Sequence, residues 1–201
     1  MIRGLLFLED RAQELFVVSL VRRLLAGYGL AFQADVRSST GGARVWGQLE
    51  QFAGDLTRDS QRDAAADMLV VAVDANCKGL ATVTDRLAAI VEPTGLLDRS
   101  AFCVPDPHIE RWYLLDLHAL KKTIGAGVHV SVPSHKCDRD YYKDLLGEAV
   151  RESGSMLGGS EFGSELAERM SIVQACGADA SFKAFVSQVR IRAKAFKLTG
   201  A

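Results

Sequence analysis

The chain predicts an α/β fold: a central parallel sheet of about four strands flanked by helices, with a helical C-terminal extension. Three observations predict it. Short apolar runs of strand length recur at residues 2–8, 68–73 and 101–104, each closed by polar residues. Stretches of helical periodicity separate them, so the first 122 residues alternate β-α-β-α-β-α-β-α, the order that gives a parallel sheet with right-handed crossovers. Arg3 apart, the runs are near-continuously apolar rather than alternating, as expected of strands covered on both faces.

The elements follow in order. The run 2–8 stops at Glu9-Asp10. Residues 10–26 place Leu15, Val18, Leu20-Val21 and Leu24-Leu25 mostly on one helical face, and Gly27 closes that helix. Residues 28–36 read as a second strand and Ser38-Ser39-Thr40-Gly41-Gly42 as a loop; 43–56 form a helix. A charged connection, 58–63, leads to the third strand, which stops at Asp74-Ala75-Asn76-Cys77-Lys78-Gly79. A helix over 80–92 ends near Pro93, and residues 101–104 are the fourth strand. Asp106 as N-cap and Pro107 in the first turn open a helix to about 122. Beyond it the pattern changes: an extended stretch at 125–133, a polar helix at 138–152, Gly/Ser punctuation at 153–164, and helices near 164–176 and 180–197. The division is therefore 1–122 as the α/β domain and 123–201 as a mainly helical extension packing on it.

Composition narrows the class. Apolar residues make up 48% and charged residues 24% of 201, which excludes a disordered chain, a collagen-like fibre and a membrane bundle. A net charge of −1 offers no global basic field for nucleic acid, so such a contact needs a local patch. The N-terminus lacks the apolar run of a signal peptide, and no stretch reaches the roughly 18–20 apolar residues that span a bilayer. A cytoplasmic protein without a membrane partner is expected. Cys77, Cys103, Cys137 and Cys176 form no C-x-x-C pair and read as reduced thiols.

In parallel sheets, ligands sit beyond the carboxyl ends of the strands. The acids there are Glu9 and Asp10 after strand one, Asp74 after strand three, and Asp106 and Glu110 after strand four. Carboxylates converging at one edge repel unless a cation joins them, and a few hard oxygen ligands suit Mg²⁺ or Mn²⁺. A metal so held activates water and neutralises a phosphodiester as it breaks.

A Glu closing strand one and Asp-x-(Asp/Asn) closing strand three resemble the signature of the Toprim domain. That domain occurs in topoisomerases, primases, ribosomal-RNA maturases and OLD-family nucleases. The segments LLFLEDRAQELFV, VVAVDANCKG and PDPHIERWYLLD are similar to small OLD-like Toprim proteins found beside ABC- or AAA-type ATPases in bacterial defence loci. The resemblance covers about residues 1–122, with a weaker echo in KCDRDYYKDLL at 136–146. It implies a Mg²⁺- or Mn²⁺-dependent nuclease in which Glu9 is general base or first metal ligand. Asp74 and Asn76 then match the acid pair, Glu110 joins the metal, and Lys78 contacts the scissile phosphate. Glu14 and Asp10 are supporting candidates. Asn76 stands where the family has a second acid: its carbonyl still ligates, but it adds no charge.

Structural readings stand beside these. Asp10 with Gln13 resembles a capping box. Asp74 could close an Asx-type turn, and Glu110 also suits a first-turn acid at the positive end of its helix. Asp106 reads as an N-cap, Asp116 as structural, and Trp112 and Tyr113 as core. His108, His118, His129 and His135 lack H-x-x-x-H spacing, and a zinc site from His135-Lys136-Cys137 would need a distant partner. Between 183 and 201, Lys183, Arg190, Arg192, Lys194 and Lys197 are basic with no acid among them. Arg190, Arg192 and Lys194 are the candidate phosphate strip; a solvated helix face explains them equally.

Two functional classes follow. One is a metal-dependent DNA or RNA phosphodiesterase, an effector of anti-phage defence working with an ABC/AAA-type ATPase. The other is a non-catalytic interaction or regulatory subunit of such an ATPase. A doubly wound nucleotide-binding domain is disfavoured because no G-x-G-x-x-G follows strand one. Substrate type, metal count and homo-oligomeric state stay open.

Overall fold

The computed structural model describes residues 1–39, 41–58, 66–125, 135–138, 140–154 and 159–199. The expected extended stretch 125–133 and His129 lie outside these residues almost entirely, as does most of the charged connection 58–63.

Four strands, β1 (Ile2–Leu8), β2 (Phe32–Ser38), β3 (Met68–Ala72) and β4 (Ser100–Cys103), form one parallel sheet in the order β2-β1-β3-β4. Helices α1 (Arg11–Ala26), α2 (Val45–Arg58) and α3 (Leu80–Val91) make the crossovers. The expected α/β architecture is therefore observed. Side chains alternate faithfully between the two faces: Leu6, Leu8, Val70 and Ala72 join one core, while Leu5, Phe7, Leu69 and Val71 join the other. Gly4 in β1 leaves room for the Phe32 ring of its neighbour. The outer strand β2 starts later than expected, at Phe32 rather than Tyr28, because residues 28–30 turn back onto the end of α1.

The expected helix 107–122 is two helices, α4 (Ile109–Tyr113) and α5 (Leu117–Ile124). Asp116 interrupts it, accepting from the His118 and Ala119 amides at 3.0 Å and so capping α5. Asp106 is not the N-cap: α4 starts at Ile109 with His108 in that position. The reason is lateral pairing. Val73, Ala75 and Asn76 donate to the carbonyls of Cys103, Pro105 and Pro107, so the chain stays extended past β4 before it can coil.

The C-terminal segment supplies α6 (Tyr141–Glu152), α7 (Gly163–Arg169), α8 (Ile172–Ala178) and α9 (Ala180–Thr199). They pack on the α1 side, where Phe16, Trp112, Tyr113, Tyr142, Phe182 and Phe185 share one core. Trp112 and Tyr113 are fully buried, as expected of core residues. Helix α9 also guards the open edge of β4: Gln188 Oε1 accepts from the Phe102 amide and Arg192 Nε donates to the Ser100 carbonyl, both at 2.9 Å. No described helix is long and apolar enough to cross a membrane.

The expectation of four reduced thiols is corrected. Cys77 and Cys137, 60 residues apart, form a disulfide, while Cys103 and Cys176 are free. Spacing along the chain carries no trace of a pair that only the fold brings together.

Candidate metal centre

The strand order reverses direction between β1 and β3: the chain leaves β1 for β2 on one side and builds β3 and β4 on the other. That switch point opens a crevice at the carboxyl edge. Glu9 follows β1 and Asp74 follows β3 by two residues, so both reach it. Glu9, Asp10, Asp74, Asn76, His108 and Lys143 line a cleft of about 460 Å³ there.

Local chemistry holds the acids in place. Asp10 caps α1, accepting from the Gln13 amide at 2.9 Å, as the capping-box pattern predicts. The return contact differs: Gln13 Oε1 accepts from the amide of Glu9, not of Asp10, at 2.9 Å. Its Nε2 is thereby free to reach across the sheet and donate to Asp74 Oδ1 at 2.9 Å. The Asp74 amide donates to Glu9 Oε2 at 2.9 Å. On its other side, Asp74 Oδ2 lies 3.3 Å from His108 Nδ1. A carboxylate only accepts, so that nitrogen carries the proton in this pair.

The acids are buried yet short of positive charge. Burial, then the charge of Asp74, pushes Glu9 up to about 7. The Asp74 amide and the Gly42 backbone pull the other way. Glu110, on the first turn of α4, is likewise pushed up to about 7 by burial and then by Asp74. Asp74 is itself raised by burial, against the bonds from His108 and Gln13. The bond to Asp74 raises His108, and burial opposes it. Glu110 Oε2 is buried with no hydrogen-bond partner. Such an atom in a native fold calls for a partner beyond the protein's own groups.

This donor set fits a hard divalent cation. Glu9 and Asp74 line the cleft, while Glu110, with its unsatisfied oxygen, does not line it but couples in charge to Asp74; such an ion would neutralise their mutual repulsion. Glu9, Asp74 and Glu110 would supply charge, and Asn76 borders the same cleft. The Asn76 amide group donates to the Asp74 carbonyl at 3.1 Å, which bends the chain into the left-handed region at φ 48°.

Other candidates lie elsewhere. Lys78 is exposed and is not among the residues lining the cleft. Glu14 pairs with Arg11 and accepts from Ser38 at 2.9 Å. Arg192 is engaged at the β4 edge, whereas Arg190 and Lys194 border a groove with Gly27 and Tyr28, at the opposite end of the sheet from the acids. Three contributors escaped the sequence reading of the site. Gln13 was visible only as a cap. His108 was hidden two residues before Glu110, and Lys143 lay within the weakly similar KCDRDYYKDLL. Lys143 is close enough to the acids to lower Glu110 and His108.

No family model and no curated protein matches this chain. Among solved structures it is similar to the C-terminal region of the Burkholderia pseudomallei OLD protein. The identity is 17% and the TM-score 0.46, over 96% of this chain and 99% of that one.

Proposed function

We propose that this chain is a Mg²⁺- or Mn²⁺-dependent nucleic-acid phosphodiesterase whose centre is Glu9, Asp74 and Glu110. One observation carries the reading: Glu9 and Asp74 are joined by a hydrogen bond at the topological switch point, and buried Glu110, coupled in charge to Asp74, has an unsatisfied Oε2. A divalent ion bound there would supply an activated water and offset the charge of the phosphodiester. The chain's own residues do the rest. Gln13 holds Glu9 and Asp74 at a set separation. An ionised Glu9 or Glu110 can take a proton from an attacking water. His108 keeps Nδ1 on Asp74, so its other ring nitrogen is the atom that passes a proton to a departing oxygen. Lys143 brings a positive charge to the cleft for a phosphate. The Toprim-like segments add a setting: an effector in anti-phage defence acting with an ABC- or AAA-type ATPase on DNA or RNA in the cytoplasm.

The test is cleavage of single- and double-stranded DNA and RNA with Mn²⁺, alone and with the ATPase. Activity that disappears in Asp74→Ala while the protein stays folded is expected. Cleavage undiminished in Asp74→Ala and Glu9→Ala would overturn the assignment.

A second reading has its own support. Asn76 adds no charge where the family has a second acid, and Lys78 does not line the cleft, so the centre is poorer in charge than the family pattern. This favours a docking or regulatory subunit of the ATPase. Assembly with the ATPase that survives Asp74→Ala, with no cleavage of any substrate, is its expected signature.

A further inference from the structure

We propose that Cys77, His135 and Cys137 form a zinc site of the reduced protein, with the disulfide as its oxidised alternative. Cys77 and Cys137 line the same cleft as Glu9 and Asp74, but the donors are different and the proposal does not depend on the carboxylate reading.

The ligand atoms of these three side chains all lie within 4.8 Å of one another. They come from two remote segments: Cys77 from the turn after β3, His135 and Cys137 from the stretch entering α6. Two thiolate sulfurs and an imidazole are the soft and borderline donors that zinc selects, whereas the neighbouring carboxylates are hard. The thiolate-bearing set is therefore the preferred zinc site of the two.

A second observation points the same way. Asp106 Oδ1 is buried with no hydrogen-bond partner and lies 3.6 Å from His135 Nε2. A carboxylate behind a metal-binding imidazole orients the ring and raises its basicity. Here one carboxylate oxygen, Oδ1, already stands near the ring with no hydrogen bond of its own. Three protein ligands leave a fourth position for water or a further donor.

The backbone gives the site a purpose. Asn76 and Cys77 are non-glycine residues with φ of 48° and 61°, a conformation that needs support from its surroundings. A tether from Cys77 to the 135–137 segment supplies that support. The same tether holds the turn carrying Asp74 and Asn76 beside the helix that brings Lys143 to the cleft.

The exchange balances. A dithiol reductant gives two electrons and two protons to the S–S bond, leaving two thiols and its own disulfide. Each thiol loses its proton as it binds zinc, so two protons are released per ion.

The experiment uses the full chain, reduced with a dithiol, loaded with zinc or with cobalt(II), and desalted. One zinc per chain, released by a mercurial reagent, is expected, together with a thiolate-to-cobalt charge-transfer band that the disulfide form lacks. Cys137→Ser should lose both signals. His135→Ala, at a ring 41% exposed, removes a ligand without disturbing the core, and should weaken zinc by at least about tenfold. Asp106→Asn should weaken it by about ten- to a hundredfold. Asp74→Ala should keep its zinc. The proposal is overturned if reduced wild type retains no zinc and shows no cobalt band, if the disulfide resists reduction in the native protein, or if His135→Ala and Cys137→Ser bind zinc as wild type does.

Discussion

The backbone amide of Asp74 donates to Glu9 Oε2 at 2.9 Å. The two acids at the switch point are thus linked by a main-chain hydrogen bond. The bond orients Glu9 but only partly offsets the repulsion between the carboxylates, since Glu9 stays raised to about 7.

Gln13 is the brace of that arrangement. It is fully buried and bonded to both the Glu9 amide and Asp74 Oδ1. Gln13→Leu keeps the volume and leaves both groups without partners. A loss of about 1–3 kcal/mol is expected, from the cost of unsatisfied buried polar groups. Chemical denaturation measures it; a change within a few tenths of a kcal/mol would mean the brace is idle.

Proton linkage gives the second prediction. In the folded, metal-free chain Glu9 and Glu110 hold protons up to about 7, against 4.5 for an ordinary glutamate. The folded state therefore binds more protons than the unfolded state between these values, and stability falls as pH rises through that window. His108, also raised, adds in the same direction: its contribution is present at low pH and lost as pH rises. Metal affinity runs the opposite way, because an ion needs the carboxylates ionised. It should rise about tenfold per carboxylate between roughly pH 6 and 8. Melting curves with and without Mn²⁺ and calorimetric titrations at several pH values read both trends. A metal-free protein more stable at high pH would contradict the first, and a pH-independent affinity the second.

His108 separates binding from proton transfer. His108→Gln offers Asp74 Oδ2 a donor but no titrating ring. Mn²⁺ binding should stay within a fewfold of wild type while cleavage drops by about 10²–10⁴-fold, the usual scale of general acid–base catalysis. The alkaline limb of the pH–rate profile, where a general acid loses its proton, should change with it. Equal losses of binding and cleavage would make His108 a support for the metal site instead.

Asp179 reports on how the C-terminal helices dock. Its carboxylate pairs with Arg111 at 2.9 Å, accepts from the Phe182 amide at 2.8 Å and from Ser181, and is buried. It thereby caps α9 and ties that helix to α4. Asp179→Ala removes the carboxylate partner of the buried Arg111 guanidinium, leaving it the Asp106 carbonyl at 3.0 Å, and about 3–5 kcal/mol of stability should be lost. Urea denaturation tests it; a loss below about 1 kcal/mol would show the pair to be dispensable.

The local pattern of the chain was enough to determine its α/β class, its strands and most of its helices. Those depend on short-range periodicity, and the runs at 2–8 and 68–73 carry it plainly. The acids at Glu9, Asp74 and Glu110 were legible for the same reason: a polar residue that stops a buried strand, or opens the helix after it, is visible in one dimension. Asp106 misled because capping chemistry was read without the lateral pairing to residues 73–76 that holds the chain extended. What only the tertiary structure decided are the long-range meetings. Gln13 reaches Asp74 across 61 residues and Cys77 meets Cys137 across 60. Arg192 was recruited to a strand edge 92 residues away rather than to a phosphate strip. Such contacts arise from the packing of whole elements, and a side chain's spacing along the sequence holds no record of which distant backbone group, thiol or carboxylate will face it.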